Sequence, residues 1–150
     1  MAYELKIDYV TGLIDGDGSI NFSFPKDQRR VIPNVTVIAS LDDLAVLEAL
    51  VIFFGCGKIY KLPSNAYVFK VVTVKDILSK VWPLLKEGTF NTVKRTYLDK
   101  SYDALIILKQ YGVKQDVNLL AVVDLVYDMN QGGKRRKLTK AAYCKLFISN

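Results

Sequence analysis

Between Asp8 and Gly18 the apolar residues Val10, Leu13 and Ile14 fall at the spacing of one helix face, with Asp8 available as the cap. Ser19 to Phe24 then alternates strictly, Ile20, Phe22 and Phe24 against Ser19, Asn21 and Ser23, which predicts a half-buried strand with a polar outer face. A charged connection, Pro25-Lys26-Asp27-Gln28-Arg29-Arg30, leads into a second strand that runs through Ala39. There Val31, Val35 and Val37 share one parity, and Arg30, Asn34 and Thr36 share the other. Ser40-Leu41-Asp42-Asp43 sets a capping hydroxyl three residues before an acid and opens a helix to Phe54, which Gly55 stops.

The order then repeats. Residues 57–62 read as a strand, Pro63-Ser64-Asn65 as a turn and 66–72 as the partner strand, with Tyr67, Phe69 and Val71 inward and Val68 and Lys70 outward. Thr73-Val74-Lys75-Asp76 repeats the cap-and-acid signal for a helix predicted to end near Trp82-Pro83. A loop through Lys86-Glu87-Gly88-Thr89 precedes a helix over 91–111, closed by Gly112, and an apolar helix through Met129. Gly132-Gly133-Lys134-Arg135-Arg136-Lys137 forms a basic hinge before a short C-terminal helix. Helix, two strands, helix, two strands, then helices is the order of an α+β layer architecture.

Composition narrows the chemistry. At 150 residues, half of them hydrophobic, the chain is read as one domain over 1–150 with a substantial core. A formal charge of +6 and a pI near 9.2 suit a polyanionic partner. Histidine is absent, and Cys56 and Cys144 have no metal-ligand spacing, so His-based catalysis and the usual His-containing zinc sites are excluded. The cysteine usage points to a reduced, intracellular setting. No apolar run is long enough to span a bilayer, and no secretory pattern opens the chain, so no membrane partner is expected.

The first helix carries the candidate chemistry. Gly12 and Gly16 lie four apart and share a face, although each glycine costs a helix about 0.5–1 kcal/mol relative to alanine. Two on one side mark a surface where another backbone comes very close. Asp15 and Asp17 fall in the last turn, where the helix macrodipole disfavours acids, so a compensating cation is required. Asp15-Gly16-Asp17-Gly18-Ser19-Ile20 also looks like the middle of a calcium-binding EF-hand loop. In that register positions 1 and 12 fall on Leu13 and Phe24, where carboxylates are needed, and the reading fails.

Val10-Thr11-Gly12-Leu13-Ile14-Asp15-Gly16-Asp17-Gly18 resembles the signature helix of the LAGLIDADG homing endonucleases. It departs from that nine-letter pattern at Val10, Thr11 and Gly16, each an apolar or small replacement compatible with packing. The predicted element order is similar to the αββαββα core of that family, so the resemblance implies a saddle-shaped antiparallel sheet with extra C-terminal helices. It further implies a site-specific double-strand DNA endonuclease that serves intron homing and hydrolyses one phosphodiester per strand at a long pseudo-palindromic site. The signature occurs once in this chain, so a second acid must come from a second chain, and the resemblance implies a homodimer with Gly12, Leu13 and Gly16 at its interface.

By motif position Asp17 is the implied metal-binding acid, with the Gly16 carbonyl as a second oxygen donor; Asp15 is assigned a structural bond near the helix end. Two carboxylates brought together repel, and divalent cations relieve this while holding phosphate oxygens for attack. Oxygen donors favour Mg²⁺, two or more ions being shared at the dimer centre. Lys94 matches the family's basic residue near the scissile phosphate, and Ser40 stands where the family often has a polar residue that holds a water. The resemblance also implies that outer strand faces enter the DNA major groove, through Asn21, Ser23, Arg30, Asn34 and Thr36 from the first pair and Lys58, Tyr60 and Lys70 from the second. Lys26, Arg29 and the run Lys134, Arg135, Arg136 and Lys137 are read as phosphate contacts. The rival expectations are an RNA-binding intron maturase, with intron RNA as partner, and a non-cleaving DNA-binding protein on the same fold. An organellar or archaeal source fits either.

Overall fold

The computed structural model describes residues 4–25, 30–111, 116–129 and 138–148, with the backbone alone described for Tyr111, 116–118 and 146–148. Helix α1 spans Ile7–Asp17, followed by strands β1 (Gly18–Ser23) and β2 (Ile32–Ala39). A 3-10 turn (Leu41–Asp43) leads into helix α2 (Leu44–Phe54), and strands β3 (Lys58–Lys61) and β4 (Tyr67–Val71) come next. Helix α3 is continuous but irregular: an α turn (Val74–Asp76), a π turn (Ile77–Val81) and a second α turn (Trp82–Leu85). Helices α4 (Lys94–Tyr111), α5 (Asp116–Val126) and α6 (Lys140–Ile148) complete the described elements.

The four strands form one antiparallel sheet in the order β1-β2-β4-β3, so the two sequential hairpins join through β2 and β4. Its inner face carries Ile20 and Phe22 from β1, Val35 and Val37 from β2, and Phe69 and Val71 from β4, all buried. These residues share one hydrophobic core with Val10 and Ile14 of α1, Leu47, Leu50 and Phe54 of α2, and Leu98, Leu105 and Leu108 of α4. Helices therefore cover one face of the sheet and leave the other open, as the strict alternation in β1 requires. Gly57 has φ +99°, and a β-carbon there would come within 2.4 Å of the Phe69 ring, so only glycine fits the entry to β3.

Three local readings are corrected. Asp8 lies within the first turn of α1, whose N-cap is Lys6 without a side-chain bond. Ser40 does not cap a helix; its hydroxyl lies 3.4 Å from Asp43 Oδ2 and the chain makes the 3-10 turn before α2. The helix after Thr73 continues past Trp82-Pro83 to Leu85. Proline has no N–H to give the preceding turn, and here the Trp82 N–H reaches back five residues to the Ile77 carbonyl, the widened π spacing. Thr73 itself does cap, accepting from the Asp76 N–H at 3.2 Å. Among the described residues no helix is long and apolar enough to cross a membrane.

Candidate active site

Helix α1 ends against the start of α4, and polar bonds run in both directions between them. The Asp15 carboxylate is buried and accepts from the Asn91 N–H at 2.8 Å, the Thr92 N–H at 3.2 Å and the Thr92 hydroxyl. The Thr92 hydroxyl in turn accepts from the Lys94 N–H at 3.2 Å. Asp15 thus satisfies donors at the entrance to α4, where a helix has N–H groups without internal partners. The Thr92 hydroxyl bond holds its carboxyl below the ordinary value of 3.8 despite the opposing cost of burial, and the Asn91 and Thr92 N–H bonds and the Lys94 charge act in the same direction.

Lys94 answers the requirement for a cation. Its Nζ donates to the Asp15 carbonyl at 2.9 Å and lies 3.4 Å from the Gly16 carbonyl. No basic residue occupies the last turn of α1 itself, so α4 supplies the charge that the C-terminal end of the dipole favours. The Gly18 N–H closes the turn by donating to the Ile14 and Leu13 carbonyls. A β-carbon at Gly18 would sit 2.8 Å from the Ile14 Cα, which fixes glycine where the chain leaves the helix for β1.

Asp17 stands between these bonds and the sheet, exposed, with no hydrogen bond or ion pair among the described residues. Its neighbour Gly18 pairs with Val37, so the acid sits where α1 meets the open end of β2. Ser40 lies three residues beyond Val37, exposed, with its hydroxyl turned to Asp43. Among the described residues no group of three metal-ligating side chains exists. Among the described residues the tip of α1 therefore offers one free carboxylate, Asp17, next in sequence to the Gly16 carbonyl, too few donors to hold a metal alone.

The glycine face is open. Gly12 and Gly16 are exposed, and a β-carbon on either would meet nothing within 4 Å. A packing partner inside the same chain is thereby excluded for this face among the described residues. Leu13 beside them is half-buried, and Tyr9, one turn earlier, is 50% exposed. The opposite face carries Val10, Thr11, Ile14 and Asp15, all buried. Gly88, from the loop after α3, presses on Thr11 so closely that a β-carbon would fall 1.9 Å from the threonine methyl. The sequence carried no signal for that contact beyond the glycine itself.

The open sheet face collects most of the other expected residues. Ser19, Thr36, Lys70 and Lys58 stand in cross-strand register on successive strands, and Asn21 stands opposite Asn34. Lys58 and Tyr60 are exposed, while Thr36, Lys70, Asn21 and Arg30 are half-buried. Two expectations of open outward side chains fail. Asn34 is buried, its amide donating to the Ser23 hydroxyl at 2.9 Å and to the Ile32 carbonyl at 3.0 Å, so it ties β2 to β1. Val68 is also buried, although its parity is outward, because it lies in register between Ile38 and Tyr60. Lys26, Arg29, Lys134, Arg135, Arg136 and Lys137 lie outside the described residues.

Comparison with known proteins gives a consistent set of relatives. The model of the LAGLIDADG endonuclease family matches residues 10–104. Probable intron-encoded DNA endonuclease 1 of Mycosarcoma maydis is 44% identical over 90 residues, which make up 60% of this chain and 34% of that protein. Intron-encoded DNA endonuclease aI3 of Saccharomyces cerevisiae is 36% identical over 93 residues, 55% of this chain and 21% of that one. The chain thus spans at most about a third of the curated relatives it matches. Among solved structures, the homing endonuclease I-TnaI superposes with a TM-score of 0.81 at 23% identity, covering 97% of this chain and 99% of that one. The LAGLIDADG homing endonuclease I-SmaMI, bound to cleaved DNA, superposes with a TM-score of 0.82 at 20% identity over 97% of this chain but 49% of its own. At these identities the structural likeness concerns the fold.

Proposed function

The chain belongs to the LAGLIDADG endonuclease family, and from that membership we propose that it is a site-specific double-strand DNA endonuclease acting as a homodimer in intron homing. The observation that carries the reading is the free Asp17 carboxylate at the tip of a helix whose glycine face has no partner within the chain. Pairing two such faces about a twofold axis brings two Asp17 side chains together. It also satisfies an otherwise unexplained use of two helix glycines. The match to the whole of I-TnaI but half of I-SmaMI is compatible with a unit that works in pairs.

Each Asp17 carboxylate and Gly16 carbonyl would hold divalent cation, and oxygen-only donors favour Mg²⁺. One I-SmaMI structure holds uncleaved DNA in the presence of calcium ions, which accords with an oxygen-ligated divalent ion. When bound, the metal supplies Lewis acidity at the scissile phosphate. The chain's own contribution is placement. Asp15 fixes α4 against α1, and Lys94 keeps a positive charge beside the Gly16 carbonyl, close to where negative charge develops on the phosphorane. Ser40 is assigned a water-holding role at the end of β2.

The open sheet face binds the duplex. Lys58 and Lys70 lie directly opposite each other, an unfavourable like-charge pair that a polyanion relieves. Arg30, Asn21, Ser23, Thr36 and Tyr60 supply further contacts to base edges. Lys26, Arg29 and the run Lys134 to Lys137 are assigned to phosphates.

The purified chain, incubated with a plasmid library of randomised inserts and Mg²⁺, should linearise a defined subset, and a chelator should stop it. Retention of duplex DNA with no cut under any divalent ion would leave a non-cleaving DNA-binding protein. Preferential retention of intron RNA over duplex would favour a maturase.

A further inference from the structure

Beyond the lysine row, the open sheet face holds a second row, of which the reading above uses only Tyr60. Ile38 on β2, Val68 on β4 and Tyr60 on β3 stand in register across three strands. Ile38 is 57% exposed and Tyr60 48%, with Val68 as the buried floor between them. Single exposed apolar residues need no explanation, but three apolar side chains in register form a patch, set apart from Ile32 at the far end of β2. Its place in the sheet is fixed by pairing. Gly18 pairs with Val37, and Asp17 precedes it at the end of α1, so the apolar row begins at the end of β2 nearest the acid. One step further from the acid comes the row Ser19, Thr36, Lys70 and Lys58.

We propose that the Ile38–Val68–Tyr60 row sets sequence preference by receiving the 5-methyl groups of thymines in the base pairs nearest the centre of the target. The inference rests on the DNA-cleaving reading above and deepens it. The adjoining lysines select a polyanion as the occupant of this face. Within the major groove of a duplex, the thymine methyl is the apolar group that distinguishes one base pair from the others. Phosphates and sugars carry no such group, and cytosine carries only a hydrogen where thymine has the methyl, so it leaves the row without that contact. The start of the row at the end of β2 nearest Asp17 puts the preference next to the cut, whereas the lysine row faces base pairs further out.

The test begins with the full chain and a randomised duplex library, sequencing the molecules retained at moderate salt. In the best-retained duplex each thymine is then replaced singly by deoxyuridine, which removes the methyl and nothing else. Thymine should be enriched at the pairs flanking the centre, and uridine there should weaken binding roughly fourfold per methyl, the equivalent of about 0.8 kcal/mol for a methyl-sized group. Ile38→Thr, at an exposed position, should fold normally and lose the difference between thymine and uridine. Binding indifferent to uridine at those pairs, or an Ile38→Thr protein as sensitive as the parent, would overturn the inference while leaving the nuclease reading intact. Failure to enrich any duplex would bring down both, and a protein ligand found on the row without DNA enrichment would do the same.

Discussion

Replacing Gly12 by alanine should push two measurements in opposite directions. In the isolated chain the new methyl enters open space, since nothing lies within 4 Å of the position. The substitution also removes a helix-interior glycine, worth about 0.5–1 kcal/mol in favour of the folded chain. In the proposed pair the same methyl would fall between two closely packed helices, and symmetry would insert it twice. Overpacking of this kind costs typically 1–3 kcal/mol, so even one contact of that size weakens association by about tenfold. Sedimentation velocity across a dilution series gives the dissociation constant, and urea unfolding at the dilute, monomeric end gives the stability of the single chain. The expected result is a more stable monomer, a weaker dimer and slower cleavage at low protein concentration, with the rate recovering as protein is added. A Gly12→Ala protein that dimerises and cuts like the parent would refute the reasoning, because the glycine face would then have no partner to collide with.

Other outcomes follow from the clasp between α1 and α4. Asp15→Asn leaves buried bonds to the Asn91 and Thr92 N–H groups weakened and one acceptor lost, at a cost of about 1–3 kcal/mol measured by urea unfolding at neutral pH. Because Asp15 is held below its ordinary value of 3.8, its contribution is fully present above that pH and is lost as the pH falls through the lower folded value. The stability gap between parent and Asp15→Asn should therefore narrow on acidification below 3.8; a gap that widened would contradict the assignment. Lys94→Met should cost no more than about 0.3–1 kcal/mol of stability, from the helix-end interaction, yet reduce cleavage far more than DNA retention. Equal losses in both would reassign Lys94 to binding. Gly88→Ala should destabilise the fold by about 1–3 kcal/mol through collision with Thr11, with partial recovery when Thr11→Ala removes the methyl; no effect on the unfolding midpoint would show that the loop simply moves aside.

What could be read from the chain was local or periodic. Strict alternation marked β1, shared parity of apolar residues marked the inner faces of β2 and β4, and the apolar spacing with paired glycines marked α1. The need for a cation at the end of α1 was also legible, because an acid in a last turn opposes the macrodipole. Lys94 was identified through its place in a familiar pattern, whereas its bonds to the Asp15 and Gly16 carbonyls depend on a contact 78 or more positions away in the chain. Nothing local announces that Asp15 caps the entrance to α4 or that Gly88 fits only against Thr11. Parity assigned Asn34 and Val68 to the outer face but could not show what neighbouring strands do there. The Ser23 hydroxyl draws the Asn34 amide into a cross-strand bond, and Val68 is buried on a row shared with Ile38 and Tyr60. The helix predicted to end near Trp82-Pro83 instead runs to Leu85, because the backbone before proline widens by one residue and keeps its bonds.

The central claim is that Asp17 supplies metal-bound carboxylate to the cut from each of two paired helices. Supercoiled plasmid bearing a selected site, treated with Asp17→Asn protein and Mg²⁺, tests it most directly. The plasmid should stay supercoiled while the variant still dimerises and shifts the same duplex as the parent. Linear product at the parental rate would contradict the account.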